Sequence, residues 1–189
     1  MYESDVIRIN SQSGKGGIGY VLETRFGYNL PKKMREAVGY LVKGVSDRLH
    51  KEMLPDEVYA VFWEHYVDLT EPLNVTETHF VQHHGIEATI GLTYHGETSS
   101  ATNTGNGRLD AVSKALKQSP YTFDYKFITY SEHALSADSH SKAASYICIE
   151  DAEGRTFWGV GTHEDIILAS VNALVSALNR MNRKDHFVE

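Results

Sequence analysis

The run Asn103-Thr104-Gly105-Asn106-Gly107-Arg108-Leu109-Asp110-Ala111 holds the residue types best suited to grip a small charged molecule. It follows the strand-like stretches 90–94 and 97–101 and leads into Leu109, Val112 and Leu116, spaced as on one helix face. Two glycines around an asparagine free the backbone for positive φ and for close approach to a ligand. The helix start behind them offers unpaired N–H groups that attract an anion such as a carboxylate. Asp110 adds the opposite charge in the first turn. Anion donors beside a carboxylate suit a zwitterion.

The other chemistry-bearing residues favour structural readings. His79 and His83 lie four apart, a ligand spacing on a helix, but the local alternation is that of a strand. No H-x-H, H-E-x-x-H or cysteine cluster accompanies them, so no metal site is expected. His133, in Tyr130-Ser131-Glu132-His133-Ala134, has no recognisable serine or cysteine partner for hydrolysis, and a hydrogen-bonded structural role is expected. Glu164 and Asp165 read as charge at a helix N-terminus. Ser11-Gln12-Ser13-Gly14-Lys15-Gly16-Gly17 lacks the phosphate-loop spacing and reads as a turn opening a helix. Tyr130, where a strand is expected to end, is either a core aromatic or a hydroxyl presented to a polar ligand.

Composition narrows the classes. The 189 residues, 41% hydrophobic and 23% charged, have an ordinary globular balance and enough length for one good core or two small ones. A net charge of −7 argues against nucleic-acid binding, and the basic run at Lys32, Lys33 and Arg35 reads as a solvated helix face. No apolar run reaches membrane-span length and no signal-peptide pattern opens the chain. The single cysteine, Cys148, cannot form an internal disulfide, which points to a reducing, cytoplasmic setting. Without a secretory signal the sequon Asn74-Val75-Thr76 is incidental.

These residues need elements to position them. A short strand is expected at 6–9 and a short helix from residue 18, ending before Gly27. Pro31 opens a longer helix with Met34, Val38, Leu41, Val42, Val45 and Leu49 on one face, and Pro55-Asp56-Glu57 opens another, running to about residue 67. Residues 69–77 break the pattern and read as a linker. Strands follow at 79–83, 86–94 and 97–103, then a helix to about residue 117. The order then repeats, with strands at 121–132, 141–150 and 155–160. Gly161-Thr162-His163-Glu164-Asp165 opens a last helix with a broad apolar stripe at Ile167, Val171, Leu174, Leu178 and Met181. Gly105 and Gly161 are read as equivalent positions.

The expected fold is α+β. Residues 1–70 form a mainly helical unit, and 71–189 form two βββα units (about 77–118 and 121–182) related by a pseudo-twofold. The crevice between the two helix N-termini is a natural small-ligand site, and the width of the last helix suggests an intersubunit surface.

Several motifs resemble those of 2-isopropylmalate synthase. The run 9–17 resembles the second linker subdomain of that family, and Thr104-Gly105-Asn106-Gly107-x-Leu109-Asp110-Ala111 resembles the leucine-binding turn of its C-terminal regulatory domain. Glu132-His133-Ala134-Leu135-Ser136, Trp158-Gly159-Val160-Gly161 and Val175-Ser176-Ala177-Leu178-Asn179-Arg180 are similar to its later motifs. The resemblance implies a helical linker subdomain followed by an allosteric, dimerisation domain that is inactive alone. The family's enzyme condenses acetyl-CoA with 3-methyl-2-oxobutanoate on an upstream TIM barrel that carries the divalent metal. This segment would therefore hold no catalytic residue, metal or cofactor, and a mitochondrial or plastid location stays open beside the cytoplasmic one.

Carried over by motif position, the family's leucine pocket implies Gly105, Asn106, Gly107, Leu109 and Asp110 from the first unit. From the second unit it implies Phe127, Tyr130, Ala134, Ser141, Ala143 and Ile166. Turn and helix-start N–H groups would take the carboxylate, Asp110 the ammonium, and apolar side chains the isobutyl group. The implied partners are L-leucine, a second copy of the chain and the barrel. Arg108 replaces a common proline, Asn103 stands at a frequent glycine, and Ser141 is more polar than the alanine sometimes found. Related citramalate synthases use a similar domain for isoleucine, so isoleucine sensing and a purely structural dimerisation role remain alternatives.

Overall fold

The computed structural model describes residues 15–136 and 141–183. The strand expected at 6–9 and the turn residues 11–14 lie outside them, as do residues 137–140 and 184–189. Lys15, Gly16 and Gly17 belong to helix α1 (Lys15–Phe26) rather than to a turn before it. Helix α2 (Lys32–Leu49) starts behind Pro31, buries Met34, Val38 and Val42, and ends where His50 turns left-handed at φ 51°. Helix α3 (Pro55–Tyr66) opens on proline, and the Glu57 carboxylate accepts the Leu54 N–H at 2.9 Å, satisfying a donor that no helical carbonyl reaches.

Two antiparallel three-stranded sheets follow, each in chain order and each trailed by a helix. Strands β1 (Leu73–Gln82), β2 (Ile86–Tyr94) and β3 (Glu97–Gly105) precede α4 (Arg108–Gln118); β4 (Lys126–Ala134), β5 (Ala143–Glu150) and β6 (Thr156–His163) precede α5 (Ile166–Asn182). The βββα repeat is therefore present, with shifted edges. β1 takes in half of the stretch read as linker and stops before His83, while β4 begins at Lys126 rather than Tyr121. Gly161, Thr162 and His163 lie in β6, and the last helix opens only behind Asp165.

The sheets differ in how they are covered. In β2, Ala88, Ile90 and Leu92 are buried and share one cluster with Ala111, Val112, Ala115 and Leu116 of α4. Their alternate neighbours are only half-buried, the pattern of a sheet covered on one face. β5 is buried continuously over residues 144–149 because it is covered twice. Ala144, Tyr146 and Cys148, with Trp158 and Val160 of β6, join the core of α1–α3, whereas Ile147, Ile149 and Phe157 join that of α4 and α5.

Helix α5 approaches β6 more closely than side chains ordinarily allow. A Cβ on Gly161 would overlap the Ala169 carbonyl and the Ala173 amide; one on Gly159 would overlap the Ala173 carbonyl and the Ala177 amide. Ala169, Ala173 and Ala177, at four-residue spacing, present the small face that meets these glycines.

Other residues of α5 bind the rest of the chain. Ser176 Oγ accepts the Leu69 N–H at 2.7 Å. Asn179 accepts the Leu73 N–H at 2.7 Å and donates to the Leu69 and Leu73 carbonyls at 2.9 and 2.8 Å. The buried Arg180 guanidinium lies 3.8 Å from the centroid of the Tyr66 ring and donates to the Trp158 carbonyl at 3.2 Å. Of the apolar stripe of α5, Val171, Leu174 and Leu178 are buried within this chain and Ile167 and Met181 half-buried, which corrects the reading of its central part as an intersubunit surface.

The joint between α3 and β1 is held to β6. The Asp68 N–H donates to the Val160 carbonyl at 2.9 Å, and its carboxylate accepts the Thr162 N–H at 2.9 Å and hydroxyl at 2.5 Å.

Two outcomes follow for stability. Gly161→Ala forces a Cβ into backbone, so thermal or urea unfolding should show a loss of about 3 kcal/mol or more, whereas Gly107→Ala, with nothing within 4 Å, should stay within about 1 kcal/mol. Equal melting of the two variants would refute the close-approach account.

Burial pushes the Asp68 carboxyl above its ordinary value, outweighing the two Thr162 hydrogen bonds that act the other way. A folded-state pKa above the unfolded one gives a contribution that is full below the unfolded value and lost as pH rises through the folded one. Asp68→Asn removes that loss and keeps an acceptor for Thr162, at a left-handed φ of 51° that asparagine tolerates. It should match or exceed wild-type stability at neutral pH, while Asp68→Ala should lose about 1–3 kcal/mol. Equal destabilisation by both, measured by urea unfolding at several pH values, would contradict this.

Candidate functional site: a crevice between the two units

The turn entering α4 is built around Asp110. Its carboxylate accepts the Asn106 N–H at 2.9 Å and pairs with Lys114 Nζ at 3.2 Å. The Asn106 hydrogen bond, ahead of the Lys114 charge, holds this carboxyl below the usual carboxylate range. Gly105 is buried against the helix start, where a Cβ would lie 2.6 Å from Asp110 Oδ2. Neither glycine is left-handed: Gly107 is extended at φ −150°, and among the described residues the positive-φ glycines are 27, 85, 96 and 154. The positive-φ expectation is therefore wrong for this turn, and close approach is what requires Gly105.

The two helix starts are not alike. Asp165 caps α5, its carboxylate accepting the Ile167 and Leu168 N–H groups at 2.8 and 3.3 Å. Gly107 occupies the same place before α4 and contributes no side-chain cap. The first turn of α4 therefore lacks the N-cap side-chain bond that α5 has, and uncapped first-turn N–H groups are the arrangement that draws an anion.

The expected residues of the second unit lie on and beside β4. Phe127, Tyr130, Glu132 and Ala134 pair with Ile149, Ile147, Ser145 and Ala143, so they lie on the sheet face that α5 covers. α5 reaches over β5 and β6 but leaves this edge open: Phe127 is 38% and Tyr130 45% exposed. Tyr130 lies within β4, not at its end. Its hydroxyl bonds Glu132 and lies 3.0 Å from Ser170 Oγ, which also takes a hydrogen bond from Ser145 at 3.2 Å and donates to the Ile166 carbonyl at 2.9 Å. Burial, then the Glu132 bond, raises the Tyr130 phenol above its ordinary value.

Tyr125, just before β4, joins it to α4. Its buried hydroxyl lies 2.6 Å from Ser113 Oγ on α4, Lys117 Nζ sits 4.5 Å from its ring centroid, and the Phe127 ring is 6.1 Å away. Burial lifts its phenol well above the ordinary value, and the Asp110 charge adds to the rise.

The expected residues thus fall into two groups. Gly105, Asn106, Gly107, Leu109 and Asp110 line the α4 start, while Tyr130, Ala134, Ala143 and Ile166 gather where β4 and β5 meet the start of α5. Phe127 stands between the groups beside Tyr125, and half-buried Ser141 sits just before β5. Ser113, Tyr125, Glu132, Ser145 and Ser170 were not anticipated. Serines inside the apolar runs of β5 and α5 were the visible signal for two of them.

Other candidates lie elsewhere. His133 points to the other face, where Nε2 accepts the Asn29 N–H at 3.3 Å and meets the Tyr146 hydroxyl at 2.7 Å, while Nδ1 donates to the Ala134 carbonyl at 2.9 Å. These bonds tie α1–α2 to the sheet. His79 is on β1, and among the described residues no group of three His, Cys, Asp or Glu could hold a metal ion. A groove of about 610 Å³ between α2 and the sheet, lined by Tyr40, Ile128, Cys148 and Trp158, contains none of the expected residues. No helix among the described residues is long and apolar enough to cross a membrane.

The LeuA allosteric (dimerisation) domain family matches residues 52–182. The chain belongs to that family. The match spans α3 to α5 and so includes both βββα units. Curated relatives named 2-isopropylmalate synthase extend the likeness over nearly the whole chain. That of Desulfitobacterium hafniense is 48% identical over 180 residues, covering 95% of this chain and 32% of the relative. Those of Helicobacter hepaticus and Clostridium acetobutylicum are 45% and 41% identical, over 96% and 95% of this chain and 34% and 33% of theirs. The chain spans about a third of the length of the curated relatives it matches.

In this LeuA domain, a depressed Asp110 pKa means the carboxylate stabilises the turn above its unfolded pKa and loses that contribution as pH falls through the folded one. The Asn106 amide resonance should therefore titrate with a midpoint below the usual carboxylate range, and Asp110→Asn should abolish the transition. An Asn106 shift indifferent to acid would show that the capping bond is not formed in solution.

Proposed function

We propose that this chain is the effector-sensing regulatory domain of a 2-isopropylmalate synthase, and that it binds L-leucine in the crevice between α4 and β4. The observation that carries the reading is the uncapped α4 start at Gly107, set across Tyr125 from the open face of β4. An amino-acid carboxylate would take the free N–H groups of α4, and a branched side chain would rest against Phe127, Tyr130 and Ile166. The parent enzyme would condense acetyl-CoA with 3-methyl-2-oxobutanoate on a metal-bearing barrel elsewhere in the polypeptide. Leucine would slow that reaction by favouring one arrangement of the domain, a coupling between separate sites. Exposed Phe127, Ile128 and Tyr130 on β4 support a second copy of the chain as partner.

Calorimetric titration with leucine, isoleucine and valine tests the reading, at a protein concentration where sedimentation shows a dimer. Leucine should bind more tightly than isoleucine, and both more tightly than valine. No heat from any of the three would sink the sensing role and leave a structural dimerisation domain. A preference for isoleucine would assign the chain to the citramalate branch.

A further inference from the structure

We propose that Glu132, not Asp110, accepts the ammonium group of the bound amino acid, and that Tyr130 holds it in position. This rests on the reading of the crevice as an amino-acid site. Asp110 is committed to its own turn, its carboxylate engaged by the Asn106 N–H and by Lys114. A ligand ammonium there would compete with both and loosen the helix start that binds the ligand's carboxylate. Glu132 is free of that conflict. It is exposed, it lies on the open face of β4 between Tyr130 and Ala134, and its recorded partner is the Tyr130 hydroxyl.

The hydroxyls behind Glu132 give it a fixed direction. A carboxylate only accepts, so Tyr130 must donate its single proton to Glu132. The Tyr130 hydroxyl is also 3.0 Å from Ser170 Oγ, which accepts from Ser145 and donates to the Ile166 carbonyl. The contacts run as a chain from buried Ser145 and Ser170 on β5 and α5, past Tyr130, to the surface carboxylate. Such a chain polarises its members and restricts the rotamers of the terminal group. A tyrosine that also offers its ring to the ligand's side chain would then serve both ends of the amino acid. Ser170, which donates to the Ile166 carbonyl, links the chain to the start of α5.

The test uses the full 189-residue chain. Binding of L-leucine and of 4-methylpentanoate, which is leucine without its ammonium, is measured by calorimetry for wild type, Glu132→Gln, Glu132→Asp and Tyr130→Phe. Glu132→Gln should weaken leucine about ten- to hundredfold, the scale of one hydrogen bond to a charged group, with melting unchanged. Glu132→Asp and Tyr130→Phe should each lose less. Affinity for 4-methylpentanoate should be the same in wild type and Glu132→Gln, and below that of wild type for leucine. Leucine binding within twofold of wild type in Glu132→Gln overturns the proposal, as does an equal loss for both ligands. If wild type binds no branched-chain amino acid, the sensing role itself falls, an outcome distinct from either.

Discussion

The close seating of α5 on β6 is the contact on which the other arrangements depend. Gly159 and Gly161 remove the side chains that would hold the helix off, and Ala169, Ala173 and Ala177 complete the approach. Only with the helix so near can Ser176 and Asn179 reach the backbone at Leu69 and Leu73, and Arg180 reach the Tyr66 ring. A single buried helix thereby fixes the exit from α3, the entry to β1 and one face of the second sheet. Dispersion falls steeply with separation, so a separation wider by one methyl would weaken these contacts together.

The same contact decides which surfaces remain for ligand and partner. α5 is drawn over β6 and β5, which leaves β4 as an open edge on that face. On the opposite face, α1–α3 cover β5 and β6 and are pinned by His133 to Tyr146 and Asn29. β4 thus meets the helical unit through one side and leaves Phe127 and Tyr130 exposed on the other. Residues that line the crevice alternate with residues that hold the helices, and a shift of β4 in its register would disturb both.

Much of this was legible in the residues because strong local patterns carry it. Pro31, Pro55 and the apolar spacing behind each mark α2 and α3, and turn chemistry separates six strands in the right order. The Thr104–Ala111 motif marked the turn that opens α4. What was illegible depended on tertiary partners. The stripe of α5 looked like an interface because a sequence cannot say that Val171, Leu174 and Leu178 join one core with β1, β2 and α4. Gly161 looked like a helix opener because a glycine needed for close packing has the same letter as one needed for a turn. The bond that ties Asp110 to Asn106, and the one that ties Glu132 to Tyr130, are matters of geometry that no spacing of residues discloses.

The duplication of the fold is not matched by a duplication of charge. The start of α5 carries its own anion in Asp165, whereas the start of α4 carries none beyond the side chain that closes its turn. The two halves, alike in element order, thus differ in polarity at their helix starts. Such a chain would hold a single small acid per copy and in a single orientation. Its stoichiometry would follow the number of polypeptides, not the number of repeats.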